Sequence, residues 1–234
     1  MRFALIAAVT LLLIITVSAA SAEPYVSVWE DEAASYSGTQ SWFGHVGLVI
    51  TPTAQTPPAS GAALEYHRIQ RDIDDVDIWG ATFGVTDWLE AGGAFVEIPG
   101  GDDETVGNLK VRIPVSQWLD NPSFPDVAVG AFDVTDQLNR AFYLVMSTSY
   151  ELDGSIPAIN LHLGLADNKT NSGSLDGIFG GIEFAAMRYG TVQAEYDGED
   201  FNAAFRYRPG RHLTLDVGTL GGDFGYGATY QSQF

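Results

Sequence analysis

Cysteine is absent from all 234 residues, so disulfides and thiolate metal sites are excluded. Basic side chains are scarce: 11 Lys plus Arg stand against 30 Asp plus Glu, a net charge of −19. A chain this acidic has no basic face to offer a nucleic acid. Histidine is scarce too, and His45, His67, His162 and His212 lie far apart. No Gly-x-Ser-x-Gly elbow, His-Glu-x-x-His helix or P-loop is present, so no nucleophile, zinc or phosphate chemistry is announced. The expectation is a protein that is not an enzyme, with no cofactor and no metal centre. After residue 22 no apolar run approaches the length of a membrane-spanning helix.

What is present begins with an export signal. Arg2 precedes a nearly unbroken apolar run over 4–17, and Ala20-Ser21-Ala22 offers small residues before Glu23. That is the layout of a secretory signal peptide over 1–22, cleaved after Ala22; a retained N-terminal anchor is the alternative. No cysteine follows the run, which excludes lipoprotein processing. The whole chain is 46% hydrophobic and 12% aromatic, too apolar for a disordered one. An exported chain of this kind is either a soluble sheet protein or an outer-membrane barrel.

Residues 23–61 are poorly patterned and carry Thr51-Pro52-Thr53 and Pro57-Pro58, which interrupt regular structure. This lead-in could plug a barrel, dock a periplasmic partner or add a strand. From residue 62 apolar and polar residues alternate in short segments. Phe201, Ala203, Phe205 and Tyr207 oppose Asn202, Ala204, Arg206 and Arg208, and a period of two places these sets on opposite faces of a strand. Val192, Ala194 and Tyr196 oppose Thr191, Gln193 and Glu195. Leu213, Leu215 and Val217 oppose His212, Thr214 and Asp216. Leu161, Leu163 and Leu165 oppose His162 and Gly164, and Leu109, Val111 and Ile113 oppose Lys110 and Arg112.

About twelve such segments can be drawn, near 62–69, 75–84, 88–97, 105–113, 126–133, 140–150, 158–165, 178–187, 190–196, 201–208, 212–218 and 224–234. Most run roughly 8–11 residues, the length of a tilted membrane-crossing strand. Alternation is blurred in 75–84, which could sit one residue out of register. The connections alternate between acidic, variable loops and mostly tight turns, as expected of an antiparallel barrel with a periplasmic and an outer end. The expected fold is an all-β, closed antiparallel transmembrane barrel over 62–234.

Three features favour this barrel over a soluble sandwich. The polar face carries Lys110, Arg112, His162, Glu195, Arg206, Arg208, His212 and Asp216, which would line a lumen, with Glu195 paired to Arg206 or Arg208 across a hairpin. Aromatics gather at segment ends, among them Trp42, Trp79, Trp88, Trp118, Tyr150 and Tyr207, as in interfacial girdles. The final segment sets Tyr226, Ala228, Tyr230 and Phe234 on one face, with Ser232 as its polar exception. This resembles the signal read by barrel-assembly machinery. Acidic loops around Asp72, Asp74, Asp75 and Asp102, Asp103, Glu104 lack regular calcium-ligand spacing, so a solvated rim is expected, with weak divalent bridging to lipopolysaccharide as the alternative.

Two stretches resemble the YjbH-like outer-membrane proteins. One is Gly47-Leu48-Val49-Ile50-Thr51-Pro52-Thr53-Ala54, followed by Glu65-Tyr66-His67-Arg68-Ile69. The other is Phe179-Gly180-Gly181-Ile182-Glu183-Phe184, followed by Ala194-Glu195-Tyr196-Asp197-Gly198 and Phe205-Arg206-Tyr207-Arg208. The resemblance implies a barrel associated with exopolysaccharide production, export or surface attachment. Its implied partners are outer-membrane lipid, lipopolysaccharide, the assembly machinery, and polysaccharide or export proteins. Familiar members are much longer, so the family's role need not transfer whole. A small-solute porin and a soluble secreted ligand-binding sheet are the other readings.

Overall fold

A computed structural model describes residues 39–121, 124–151, 158–171, 173–187 and 189–233. The expected signal peptide, the first part of the lead-in, Arg188 in one tight turn, and Phe234 lie outside the described residues. Twelve strands follow one another: β1 (Gly61–Gln70), β2 (Val76–Thr86), β3 (Leu89–Glu97), β4 (Glu104–Ile113), β5 (Asp126–Phe132), β6 (Ala141–Glu151), β7 (Ala158–Asn168), β8 (Gly177–Met187), β9 (Gly190–Tyr196), β10 (Phe201–Tyr207), β11 (Leu213–Leu220) and β12 (Asp223–Gln233). Each pairs antiparallel with its chain neighbours, and β1 closes on β12 from Gly61↔Gln233 to Gln70↔Phe224. The expected closed barrel is present, with strand ends moved by up to three residues. A single helical turn, α1 (Val115–Trp118), sits in the long β4–β5 connection.

The alternation sorts the barrel's two surfaces. Leu64, Phe142, Leu163, Leu165, Ile178 and Tyr230 stand on the outer face, each more than half exposed. Their strand neighbours point inward and are mostly buried. A water-soluble sheet hides its Leu and Phe face in a core; this barrel turns that face outward over most of its circumference. A continuous apolar band in contact with water would be an aggregation surface. In hydrocarbon it is the favourable arrangement, and closure leaves no unpaired strand edge.

The interior has two zones. Toward the end carrying the acidic loops, Ile69, Ile78, Val96, Val106, Phe132 and Phe179 form an apolar collar. Elsewhere the wall is polar, with Glu65, Glu90, Lys110, Glu195, Arg206 and Asp216 all under 5% exposed; of these Glu195 lies next to the acidic β9–β10 loop. Twelve strands enclose more space than their own side chains fill, since about eight already make an interior just wide enough to be packed by side chains. Something else must occupy the remainder.

Candidate functional site: the occupied lumen

Residues 39–58 fill that space. The segment folds on itself through the bridges Gln40↔Val46 and Gly47↔Pro52 rather than joining the sheet. It begins near the barrel end that holds both sheet termini, where Thr39 and Gln40 lie beside Arg208 and Gln231. It leaves by the same end, where Thr56 Oγ1 donates to Asp87 O and Ser60 N–H donates to Gly84 O. Between these points Trp42 is fully buried and stacks on His67 at 5.2 Å, and Phe43 packs edge-on against Phe132. Trp42 is therefore a core residue of the lumen. Its expected place in an interfacial girdle is corrected, whereas Trp79, Trp88, Trp118, Tyr150 and Tyr207 are exposed.

The wall holds this segment by its main chain. Glu195 carboxylate oxygens accept from Val49 N–H (3.0 Å), Ile50 N–H (2.9 Å), Thr51 N–H (3.1 Å) and Thr51 Oγ1 (2.8 Å). Arg206 donates to Leu48 O at 2.9 Å and more distantly to Gly47 O. Glu65 accepts from Gly44 N–H at 2.5 Å, and Asn108 donates to Phe43 O and Gly44 O. Val46 is gripped from both sides: its N–H donates to Glu90 (3.0 Å) and its carbonyl accepts from Lys110 (2.7 Å). Glu90 and Lys110 also pair with each other at 3.0 Å. An irregular buried segment has orphan N–H and C=O groups that must be satisfied. Here charged side chains do it, and charge-assisted bonds are the stronger kind.

The expected lining residues divide on this geometry. Lys110, His162, Glu195, Arg206 and Asp216 are buried on the inward face. Arg112 is inward but at the rim, bound to Asp126 at 2.5 Å. Arg208 is half-buried just beyond β10. His212 is exposed at the rim, its ring tilted against the outward Tyr230, so it does not line the lumen. The expected Glu195–Arg206 ion pair is also corrected: β9–β10 register sets Glu195 opposite Asn202, which donates to it, and Arg206 opposite Thr191. Both charges are spent on the segment. Tyr226 and Tyr230 stand on the outer face of β12. Glu65, Glu90, Asn108 and Ser147, which accepts from Ala54 N–H at 2.8 Å, were not singled out by the sequence reading. Their inward parity was the available signal. Asp72, Asp74, Asp102 and Asp103 are exposed, and no group of acids or histidines among the described residues is arranged to hold a metal.

His45, on the segment itself, is buried as a neutral ring. Its Nε2 reaches Ile50 O at 3.1 Å, so Nε2 carries the proton, and Nδ1 faces Ser41 Oγ at 3.0 Å. Burial, then the nearby Lys110 charge, lowers its pKa from 6.5 to about 3. The unfolded or withdrawn segment therefore binds the extra proton first. Its seating is fully stabilised by this ring above pH 6.5 and loses that contribution as pH falls toward 3. Relative to a free peptide spanning Phe43 cleaved at the same pH, chymotrypsin cleavage at Phe43 in folded barrels should accelerate as the pH is lowered from above 6.5 into the upper part of this window. His45→Gln should flatten the dependence, and a pH-independent wild type would refute it.

Residues 39–233 match the family model YjbH, described as exopolysaccharide biosynthesis protein YbjH. The chain belongs to this family. A curated relative, the uncharacterized lipoprotein YjbH of Escherichia coli (strain K12), is 25% identical over 221 residues, covering 78% of this chain and 31% of the relative. The chain thus spans about a third of that relative's length. Among solved structures, the KdgM porin is similar with a TM-score of 0.48, and 0.49 in its complex with disordered oligogalacturonate. Each is 11% identical and covers 74% of this chain and 99% of the porin. The N-terminal β-barrel domain of Pseudomonas aeruginosa OprF is similar with a TM-score of 0.24, at 11% identity, covering 74% of this chain and 98% of that domain.

In this YjbH-family chain the stretches that carry the family resemblance meet in space. The Gly47-Leu48-Val49-Ile50-Thr51 tip is held by Glu195 of one motif and Arg206 of another. Gly181, of the Gly-Gly pair, leaves room for Leu48: a Cβ there would overlap the Leu48 side chain. Asp197 locks the adjoining loop by accepting from Glu199 N–H, Asp200 N–H, Asn202 and Ser174.

Proposed function

We propose that this chain is a non-catalytic outer-membrane barrel, closed by residues 39–58, that supports exopolysaccharide production, export or surface attachment. The observation that carries the closed state is the lumen itself, filled by a segment whose backbone is bonded to wall charges from several strands. The polysaccharide role rests on family membership, and the chain's third-length coverage of its relative keeps that role a proposal. The apolar outer band supports a membrane setting and disfavours the soluble reading. In this reading the acidic loops face outward, lipid and lipopolysaccharide surround the band, and the assembly machinery reads Tyr226 and Tyr230 on β12 together with the Phe234 of the sequence. Polysaccharide or export proteins are its partners, and 1–22 is a cleaved signal peptide.

Deleting the gene should lower exopolysaccharide yield or capsule retention; no change in either would overturn the role. The purified wild-type barrel should be electrically silent in planar bilayers, where steady conductance would favour a porin. The membrane setting has its own test at Leu163, which lies outward near the middle of β7. Leu163→Arg should cost about 2–4 kcal/mol in lipid vesicles, the range for Arg near the midplane of a barrel's lipid face. Leu163→Phe should be nearly neutral. Equal stabilities for the two variants in urea unfolding would mean that hydrocarbon does not cover this face.

A further inference from the structure

We infer that the lumen beneath residues 39–58 is a latent water path that favours cations over anions. The inference rests on the closed-barrel reading above and adds an activity to it. Three observations carry it. First, residues 39–58 contribute no strand to the sheet, since their two bridges are internal to the segment and β1 closes directly on β12. The wall stays hydrogen-bonded as a closed ring whether or not the segment is seated. Second, the segment enters and leaves at one end of the barrel, so it can withdraw as a hairpin without threading a terminus through the wall. Third, the buried strand charges it occupies are unequal in number. Glu65, Glu90, Glu195 and Asp216 face the interior against Lys110 and Arg206.

Glu65, Glu195 and Arg206 are bonded to the segment's N–H and C=O groups, while Glu90 pairs with Lys110 and Asp216 with His67. Withdrawal returns them to water as a net negative lining. A ring of carboxylates in a confined pore raises the local cation concentration and repels anions. The lining therefore admits cations and neutral hydroxyl-rich solutes and opposes polyanions.

The test uses the full chain in planar bilayers under a KCl gradient. Two variants loosen the segment while keeping all six wall charges. One combines Thr51→Val with Ser147→Ala, removing two hydrogen bonds to the segment. The other is Gly44→Ala, whose added Cβ would overlap the Gly93 backbone. Each should raise the open fraction over wild type by at least about tenfold, the first by lost hydrogen bonds and the second by overlap. The reversal potential should have the sign of K⁺ preference over Cl⁻. An anion-preferring reversal potential would overturn the inference. So would silence in a variant that migrates as a folded, heat-modifiable barrel and is cleaved at Phe43. A wild type that conducts steadily would instead refute the closed-barrel reading, and its ion preference would still decide the inference.

Discussion

Replacing Lys110 with methionine is expected to destabilise the folded barrel by about 3–5 kcal/mol, the range for removing one partner of a buried ion pair. Lys110 Nζ sits 3.0 Å from Glu90 Oε2 and 2.7 Å from Val46 O, and both charged side chains are 1% exposed. Methionine keeps most of the volume, so the packing loss is small. What it removes is the one cation bonded to Glu90 among the described residues, leaving a carboxylate in a buried interior with the Val46 N–H as its donor. It also takes the shorter of two donors from the Val46 carbonyl, which keeps the Thr53 N–H at 3.4 Å. The segment and the wall thus loosen together. Urea unfolding followed by tryptophan fluorescence reads the loss. Adding Glu90→Gln should recover most of it, because no uncompensated charge then remains. A double variant as unstable as the single one would assign the effect to shape rather than charge.

The barrel was legible because its alternation is simple where it matters most. Leu161-His162-Leu163-Gly164-Leu165 allows only one assignment of faces, and β7 adopts it. The blur in β2 has a physical cause. Val76 and Ile78 point inward into the apolar collar while Trp79 and Phe83 point outward, so both faces are apolar and the period of two fades. His212 was misplaced because parity extends only as far as the strand, and β11 begins at Leu213. The Glu195–Arg206 pair was expected because two opposite charges on neighbouring strands are the obvious partners in an empty lumen. An occupied lumen changes the competition, since backbone groups of residues 47–51 lie nearer to both. The segment's position was not legible for a related reason. It is recognised through N–H and C=O groups that every residue carries, so its side chains hold little record of what binds them. Its two glycines at crowded places, Gly44 and Gly47, are the exception.

Gly44→Ala should unseat the segment, and Gly100→Ala should not. Both glycines have positive φ, +70° at Gly44 and +73° at Gly100, a region that costs an L-residue about 1–2 kcal/mol. They differ in what a methyl group would meet. At Gly100 there is nothing within 4 Å, so the loop variant should lose only the backbone term. At Gly44 the added Cβ would overlap the Gly93 carbonyl, which belongs to β3 and is fixed by pairing with β2 and β4. Relieving that overlap means moving the segment, because overpacking of this kind adds about 1–3 kcal/mol when the neighbour cannot give way. Moving Gly44 also pulls its N–H off Glu65 and its carbonyl off Asn108, so the unseating is cooperative. In folded barrels chymotrypsin should cut Gly44→Ala at Phe43 at least tenfold faster than Gly100→Ala or wild type, since about 1.4 kcal/mol is already a factor of ten. Equal cutting of the two glycine variants would mean that neither the φ strain at Gly44 nor its overlap with Gly93 unseats the segment. Heat-modifiable migration should be kept by both, because neither glycine lies in a strand and the ring of twelve strands closes without them.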